Sequence, residues 1–316
     1  MSKQPLFILT GPTAVGKSKL SLELARRLNG EIISADSMQV YKGMDIGTDK
    51  ITLAARKGIT HHLIDIVEPT ESFDVTIFQR LAKEAISDIA SRGKLPIMVG
   101  GTGFYIQSVL YDIDFSETDD DDSIRTRLEQ EAEASIDGLK NLYDRLLTVD
   151  PVSYKLIPMQ NKKRVIRALE FFEKTGRPIS EHNSEQRART SPFHFMYVVL
   201  TNERQELYSR IDARVDQMIN EGLVDEVIKL KAAGVKATDT SMQGLGYREI
   251  LGFLQGEYDL DRAVYLIKRN TRHFAKRQLT WFRRERDITW VNKHEYSNDE
   301  EIVNDLVDAF TNSSRV

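Results

Sequence analysis

"LFILTGPTAVGKSKLSLELARRL", residues 6–28, opens as a short apolar run, turns at a glycine-bounded loop and continues at helical spacing. The octamer from Gly11 to Ser18 fits G-x-x-x-x-G-K-[ST], the phosphate-binding P-loop. Gly11, Pro12, Thr13, Ala14, Val15, Gly16, Lys17 and Ser18 are therefore expected to cradle phosphate. The glycines let the backbone curl with its N–H groups inward, and the next helix adds the positive end of its dipole. Lys17 supplies a point charge for a terminal phosphate, and Ser18 a hydroxyl for Mg²⁺. The strand–loop–helix setting lifts this match above a chance octamer.

Working outward, "EIISAD" reads as a second strand ending at Asp36, "HHLIDIV" (61–67) as a third and "LPIMVGG" (95–101) as a fourth. Between the last two, "VTIFQRLAKEAISDIASRG" has amphipathic helical spacing and stops at Gly93. "FYIQSVLYDI" continues after the fourth strand as helix. Strands alternating with helices predict a parallel sheet covered on both faces. From about Asp114 the strand signals cease. "SIRTRLEQEAEA", "LKNLYDRLLTVDP" and "RVIRALEFFEKTG" all read as helices, and "FHFMYVVLT" (193–201) restores a strand. The expected fold is thus a P-loop α/β core, residues 1–115 and 192–316, carrying an all-helical insertion over 116–191. The last third is expected to be mainly helical, with one long pattern from Leu260 to Arg286.

Composition narrows the chemistry. The 316 residues contain no cysteine, which excludes disulfide scaffolds, thiolate zinc sites and cysteine nucleophiles. No run approaches the roughly 20 apolar residues of a membrane span, and "MSKQPLFILT" lacks the form of a signal peptide, so a cytoplasmic protein is expected. Net charge is only −4, yet charge is unevenly placed. "ETDDDD" (117–122) is acidic, while "NKKRVIR" (161–167) and "IKRNTRHFAKRQLTWFRRER" (267–286) are strongly basic. Such patches either serve an enzyme that grips a polyanion or are solvated helix faces. On the long helix, Arg269, Arg272, Lys276 and Arg283 share one face by spacing. Trp281 and Phe282 among them could stack on bases or fill the core.

The remaining strand ends do not read as those of an ordinary ATPase. After "LPIMVGG" stands Thr102, not a Walker-B aspartate. Asp36 and Asp65 close strands, and acids there face the ligand crevice of an open parallel sheet. Asp36 fits a reactive carboxylate beside the P-loop or a turn aspartate; Asp65 fits a residue behind a magnesium site or a cap. His61 and His62 read as structural. Arg210 and Arg214, four residues apart in "RIDARVDQM", share a helix face, a spacing that by itself suits a charge-paired surface.

"GPTAVGKS", "ISADSMQVYKGMDIGT", "HHLIDIVEP", "VGGTGFYIQSVL", "RVIRALE", "GLGYREI" and "KRQLTWFRR" follow one another in that order. Together they resemble the tRNA dimethylallyltransferases, or tRNA isopentenyltransferases, from Phe7 to about Trp290. The resemblance implies transfer of a dimethylallyl group from dimethylallyl diphosphate to N6 of the adenine just 3′ of the anticodon, position 37, in tRNAs reading codons that begin with U. The P-loop would then hold an isoprenoid diphosphate rather than a nucleoside triphosphate, with Mg²⁺ as cofactor. By the same resemblance Asp36 is the base, with Thr13 at the reacting centre. Thr102 and Arg214 meet the diphosphate, and Arg210 shares that task. Contacts to the anticodon stem-loop are implied for Asp36, Ser37, Met38, Gln39, Thr102 and Arg125, and for Lys163, Arg164, Val165, Ile166 and Arg167. They are implied also for Gln243, Gly244, Leu245, Gly246, Tyr247 and Arg248, and for Lys276, Arg277, Gln278 and Arg283. A monomer is expected, with no membrane partner. The sequence departs from the family pattern at Asn161-Lys162-Lys163, where many relatives have an Asn-Asp-Pro-like turn. No zinc finger follows the core, which implies the compact bacterial type. A small-metabolite kinase would leave the basic C-terminal third unexplained. A prenyltransferase of free adenine nucleotides would not need the insertion, and a non-catalytic RNA-binding module would not need a complete P-loop.

Overall fold

The computed structural model describes residues 3–115 and 123–313. The chain divides into two compact units, Met1–Val109 with Pro192–Val316, and Leu110–Ser191. The acidic run 117–122 and the first residues of the expected insertion lie outside the described residues.

In the first unit, six strands form one parallel sheet: β1 (Gln4–Thr10), β2 (Gly30–Ala35), β3 (His61–His62), β4 (Leu95–Gly100), β5 (Phe193–Thr201) and β6 (Ile288–Asn292). Their order across the sheet is β3-β2-β4-β1-β5-β6. Central strands are buried on both faces and so read as unbroken apolar runs; Leu6 to Leu9 of β1 are fully enclosed. Helices α1 (Lys17–Arg27), α2 (Val75–Ser91) and α3 (Gly103–Leu110) follow β1, β3 and β4. Asp74 starts α2 by accepting the N–H groups of Thr76 and Ile77.

The second unit holds α4 (Ser123–Glu133), α5 (Gly138–Val149), α6 (Pro151–Leu156), α7 (Lys162–Thr175) and α8 (Ile179–Ala188). Leu128, Leu142, Leu146, Val165, Ile166 and Leu169 form its core. Despite the unusual Asn161-Lys162-Lys163, α7 starts in an ordinary way: Asn161 Oδ1 accepts the Arg164 N–H at 3.4 Å.

The chain then returns through β5 to α9 (Arg204–Asn220), α10 (Leu223–Ala232), α11 (Tyr247–Leu254), α12 (Leu260–Phe282) and α13 (Asp299–Ser313). Leu207 and Ile211 of α9 and Val303, Leu306 and Phe310 of α13 join the α1 side of the core.

Three elements differ from the sequence expectation. The third strand is two residues long rather than seven, because Leu63 and Asp65 take left-handed φ values of 62° and 58° and bend the chain out of the sheet. The long helix stops at Phe282, with Arg283 as its C-cap. A sixth strand, β6, follows it, a five-residue edge strand of which only Val291 is buried.

Candidate active site

The register of the parallel sheet builds the site. Gly100 of β4 stands opposite both Thr10 of β1 and Ala35 of β2. Three strands therefore end level, and the next residues, Gly11, Asp36 and Gly101-Thr102, emerge together at the carboxyl edge. Thr10 Oγ1 ties the edge by donating to the Gly100 carbonyl at 2.7 Å. This is where the chain leaves β1 in one direction and returns beside it from the other, the usual crevice of an open α/β sheet.

The P-loop curls as its sequence expects. Gly16 takes φ 97° at the N-terminus of α1, a left-handed value that glycine adopts without strain. Lys17 folds over the loop, its ammonium donating to the carbonyls of Gly11 at 3.0 Å and Pro12 at 2.9 Å. Burial lowers the Lys17 pKa to about 8; Asp36 and Asp49 pull it up, and Arg214 adds to the lowering. Ser18 is exposed on the first turn of α1.

Asp36, Thr102, Thr13 and Arg214 converge on this loop. Asp36 Oδ1 accepts the N–H groups of Met38 at 2.9 Å and Gln39 at 3.3 Å. The carboxylate is thus a turn residue through one oxygen, and among the described residues Oδ2 receives no hydrogen bond. Thr102 Oγ1 accepts the Ser37 N–H at 3.2 Å, which locks the β4 end to the residue beside Asp36. Arg214, on α9, donates to Thr13 Oγ1 at 3.3 Å and pairs with Asp49 at 2.8 Å. Burial lowers the Arg214 pKa, against the attraction of Asp49 and Asp36. Its Nε is buried with no partner among the described residues. Arg210, one turn earlier, is half exposed and pairs with Glu206.

Gln278 was expected at the RNA surface but is buried. Its Oε1 accepts the Thr13 N–H at 2.9 Å, and its Nε2 donates to the Gly101 carbonyl at 2.9 Å. A Cβ at Gly101 would come within 2.3 Å of that nitrogen, so Gly101 makes room for α12 to clamp the P-loop.

The expected RNA-contacting loops also meet. Gly244 lies against Met38, where a Cβ would approach the sulfur to 3.0 Å. Gln39 donates to the Thr48 carbonyl at 3.2 Å. Buried Glu226 gathers the 45–47 loop, accepting from the backbone N–H groups of Asp45, Ile46 and Gly47 and from the Tyr247 hydroxyl at 2.6 Å. Tyr247 is fully buried, its pKa raised by that burial and by Glu226. Gln243 and Arg248 are exposed, Leu245 partly, and Gly246 is buried, its N–H donating to Glu249. On α12, Arg272 is tied to Asp212 of α9, and Arg269 to Asn270, whereas Lys276, Arg277 and Arg283 are exposed and carry no ion pair among the described residues. Phe282 is core; Trp281 is half-buried, edge-on to Phe104.

In the second unit, Lys163 and Arg164 are exposed on the first turn of α7, while Val165 and Ile166 point into the core. Arg125 and Arg167 flank buried Glu170 at 2.9 and 3.3 Å.

Other candidates are structural. His61 faces the Ile59 carbonyl, and His62 joins Arg92 and Lys94 around buried Glu31. Asp65 pairs with buried Lys50 at 2.5 Å. Glu226, Asp49 and the bridging by Gln278 were missed from sequence; each acts on a segment far away in the chain, and nothing local marks it. For a metal, no cluster of three or more His, Cys, Asp or Glu exists among the described residues; the hard oxygen ligands beside the loop are the Ser18 hydroxyl and the Asp36 carboxylate, which fit Mg²⁺.

A family model described as IPP transferase matches residues 39–285, and one described as isopentenyl transferase matches residues 4–71. The chain belongs to the IPP transferase family. It is 56% identical to a tRNA dimethylallyltransferase of Lachnoclostridium phytofermentans, over 98% of each chain. The full-length tRNA isopentenylpyrophosphate transferase of Bacillus halodurans has a similar structure, with 43% identity, a TM-score of 0.74 and 99% of each chain covered. A eukaryotic dimethylallyltransferase acting on tRNA is similar at 32% identity and a TM-score of 0.77, over 92% of this chain and 74% of that one. Among the described residues, no helix of this IPP transferase family member is long and apolar enough to cross a membrane.

Proposed function

We propose that the chain is a tRNA dimethylallyltransferase that moves a dimethylallyl group from dimethylallyl diphosphate to N6 of adenine 37, in tRNAs reading codons that begin with U. The observation that carries this reading is the meeting of one carboxylate, Asp36, with Lys17, Arg214 and Thr13 at a level strand edge, in a chain whose relatives bear that name.

The geometry suits the chemistry. As diphosphate leaves an allylic carbon, negative charge grows on its oxygens. Lys17 and Arg214 stand at the loop to receive it, Lys17 exchanging its bonds to the Gly11 and Pro12 carbonyls for diphosphate oxygens. An adenine amine is a weak nucleophile and must lose a proton as its N–C bond forms. Asp36 Oδ2 is the free acceptor, oriented by the two backbone bonds that hold Oδ1. Bound next to Ser18, Mg²⁺ would add neutralisation of the departing diphosphate. Adenine 37 must leave its stack to reach this crevice, which costs a few kcal/mol in a duplex and less in a loop. The exposed Lys276, Arg277 and Arg283 and, on the second unit, Lys163 and Arg164 are suited to the phosphates of the anticodon arm.

The test is incubation with labelled dimethylallyl diphosphate, Mg²⁺ and unmodified tRNA, followed by nuclease digestion. Label on the adenosine 3′ to the anticodon is the expected result. ATP hydrolysis stimulated by a small metabolite, with tRNA unlabelled, would replace this reading with a kinase.

A further inference from the structure

The sheet brings one more cation to the P-loop from the far end of the chain. Strand β6 runs parallel to β5 with Asn292 opposite Thr201, and β5 runs parallel to β1 with Val199 opposite Thr10. Lys293, the residue after β6, therefore emerges at the same edge as the loop. Its ammonium stands 3.2 Å from the position a Cβ on Gly16 would occupy, and Arg210 Nη1 stands 4.0 Å from it. The Lys293 side chain is only 10% exposed. It pairs with Asp299 Oδ1 at 2.6 Å, while Asp299 Oδ2 pairs with Lys19 at 2.9 Å.

This arrangement is more than a tie for α13. Lys19, 80% exposed, already neutralises Asp299 at little desolvation cost. Enclosing a second ammonium is expensive for a structural contact alone. The local charge points the same way. Lys17, Arg210, Arg214 and Lys293 lie along one loop and the start of α1, and Arg210 and Lys293, with Lys19 and the carboxylates Glu206 and Asp299, line a polar cavity of about 500 Å³ beside it. An entering anion competes with the carboxylates that now balance these cations. Arg210, Arg214 and Lys293 are each held by a single carboxylate, Glu206, Asp49 and Asp299. Burial opposes ionisation of Asp299, but its two lysines hold its carboxyl below the usual range.

We propose that Lys293 is a donor-binding residue: its ammonium passes from Asp299 to an oxygen of the diphosphate when the prenyl donor enters the P-loop. This rests on the reading that the loop holds a diphosphate, and deepens it by adding a ligand-contacting cation from outside the loop and α9.

The test is calorimetric titration with inorganic diphosphate and with dimethylallyl diphosphate, alongside melting curves and tRNA affinity. Lys293→Met should weaken both diphosphates by about tenfold, the scale of one charge-assisted hydrogen bond, with tRNA affinity unchanged. Lys293→Arg should restore most of that affinity. Asp299→Asn should bind diphosphate more tightly than wild type, since the competing carboxylate is gone. Should Lys293→Met fail to fold, the Arg and Asn variants still decide. Equal melting losses in Lys293→Met and Asp299→Asn with unchanged diphosphate affinity would overturn the proposal and leave a structural tie. So would Asp299→Asn that binds diphosphate no better than wild type. If wild type and Lys17→Ala bind diphosphate equally poorly, the donor reading itself fails, and this proposal falls with it.

Discussion

The P-loop crevice and the outer face of α12 are both basic, yet they hold their charges differently. In the crevice every cation is restrained: Lys17 by two loop carbonyls, Arg214 by Thr13 and Asp49, Arg210 by Glu206. On α12 the half nearest α9 is also tied, Arg272 to Asp212 and Lys268 to Asp216. The other half, Lys276, Arg277 and Arg283, is exposed and carries no ion pair among the described residues. Restrained charges suit a small anion whose position must be fixed as a bond breaks. Exposed charges suit a long polyanion whose phosphates are met one by one and whose binding is governed by counterion release. Equal basicity in a sequence therefore conceals two arrangements, which the partners of each side chain separate.

The largest effect should come from the carboxylate whose second oxygen stands free in the crevice. Asp36→Asn should lower turnover by ~10²–10⁴-fold while tRNA binding survives, checked by single-turnover transfer and a filter-binding titration. Wild-type turnover would remove Asp36 as the base. Lys17→Ala comes next. Removing a fixed charge from the leaving group should cost about 10²–10³-fold in kcat and weaken the donor as well, without altering the salt dependence of tRNA binding.

The restrained lysine also predicts a pH effect. Burial lowers its pKa to about 8, below its ordinary value. Below that pH the ammonium is present in the free protein; above it the group is neutral and must take up a proton when diphosphate binds. Donor affinity should thus fall by up to tenfold per unit as pH rises past about 8, and calorimetry in buffers of different ionisation heat should detect proton uptake at about pH 9. In Lys17→Met both effects should vanish. Stability moves the opposite way: between about 8 and the ordinary lysine pKa the unfolded chain binds more protons, so this group's burial penalty is relieved and stability rises with pH.

On α12 the effects should be smaller and of another kind. Lys276→Ala with Arg283→Ala should flatten the plot of log K against log salt by roughly 0.7–0.9 for each phosphate no longer neutralised, leaving the KM for the donor unchanged. Arg272→Ala should instead cost about 1 kcal/mol of stability through its tie to Asp212, with the slope intact. A slope change in Arg272→Ala and none in the double variant would invert the comparison.

The parts of this division legible in the sequence are those carried by contiguous residues. The P-loop is a single octamer between a strand and a helix. Asp36 and Thr102 could be placed beside it because parallel strands in one sheet end at a common edge. Partnership was not legible. Arg269, Arg272, Lys276 and Arg283 share one stripe by spacing, yet only α9 decides that Arg272 is tied and Lys276 is not. Gln278 sits in the same basic run but turns inward, because Gly101 has no side chain to keep α12 from the loop. Asp49, Glu226 and Lys293 act across long stretches of chain, and their surroundings in sequence are ordinary helix or loop. The short β3 escaped for a local reason, the left-handed residues that cut it, while β6 is only five residues long and lies directly behind the basic run.

The central claim is that this P-loop is built for a prenyl diphosphate rather than a nucleoside triphosphate. Competition at equilibrium tests it most directly: dimethylallyl diphosphate is displaced from the wild-type protein by inorganic diphosphate or by ATP, and the competition is repeated with Lys17→Ala. Inorganic diphosphate should displace the donor readily and ATP poorly, and Lys17→Ala should weaken donor and inorganic diphosphate together. ATP that displaces the donor at lower concentration than inorganic diphosphate, and that loses its own affinity in Lys17→Ala, would contradict it.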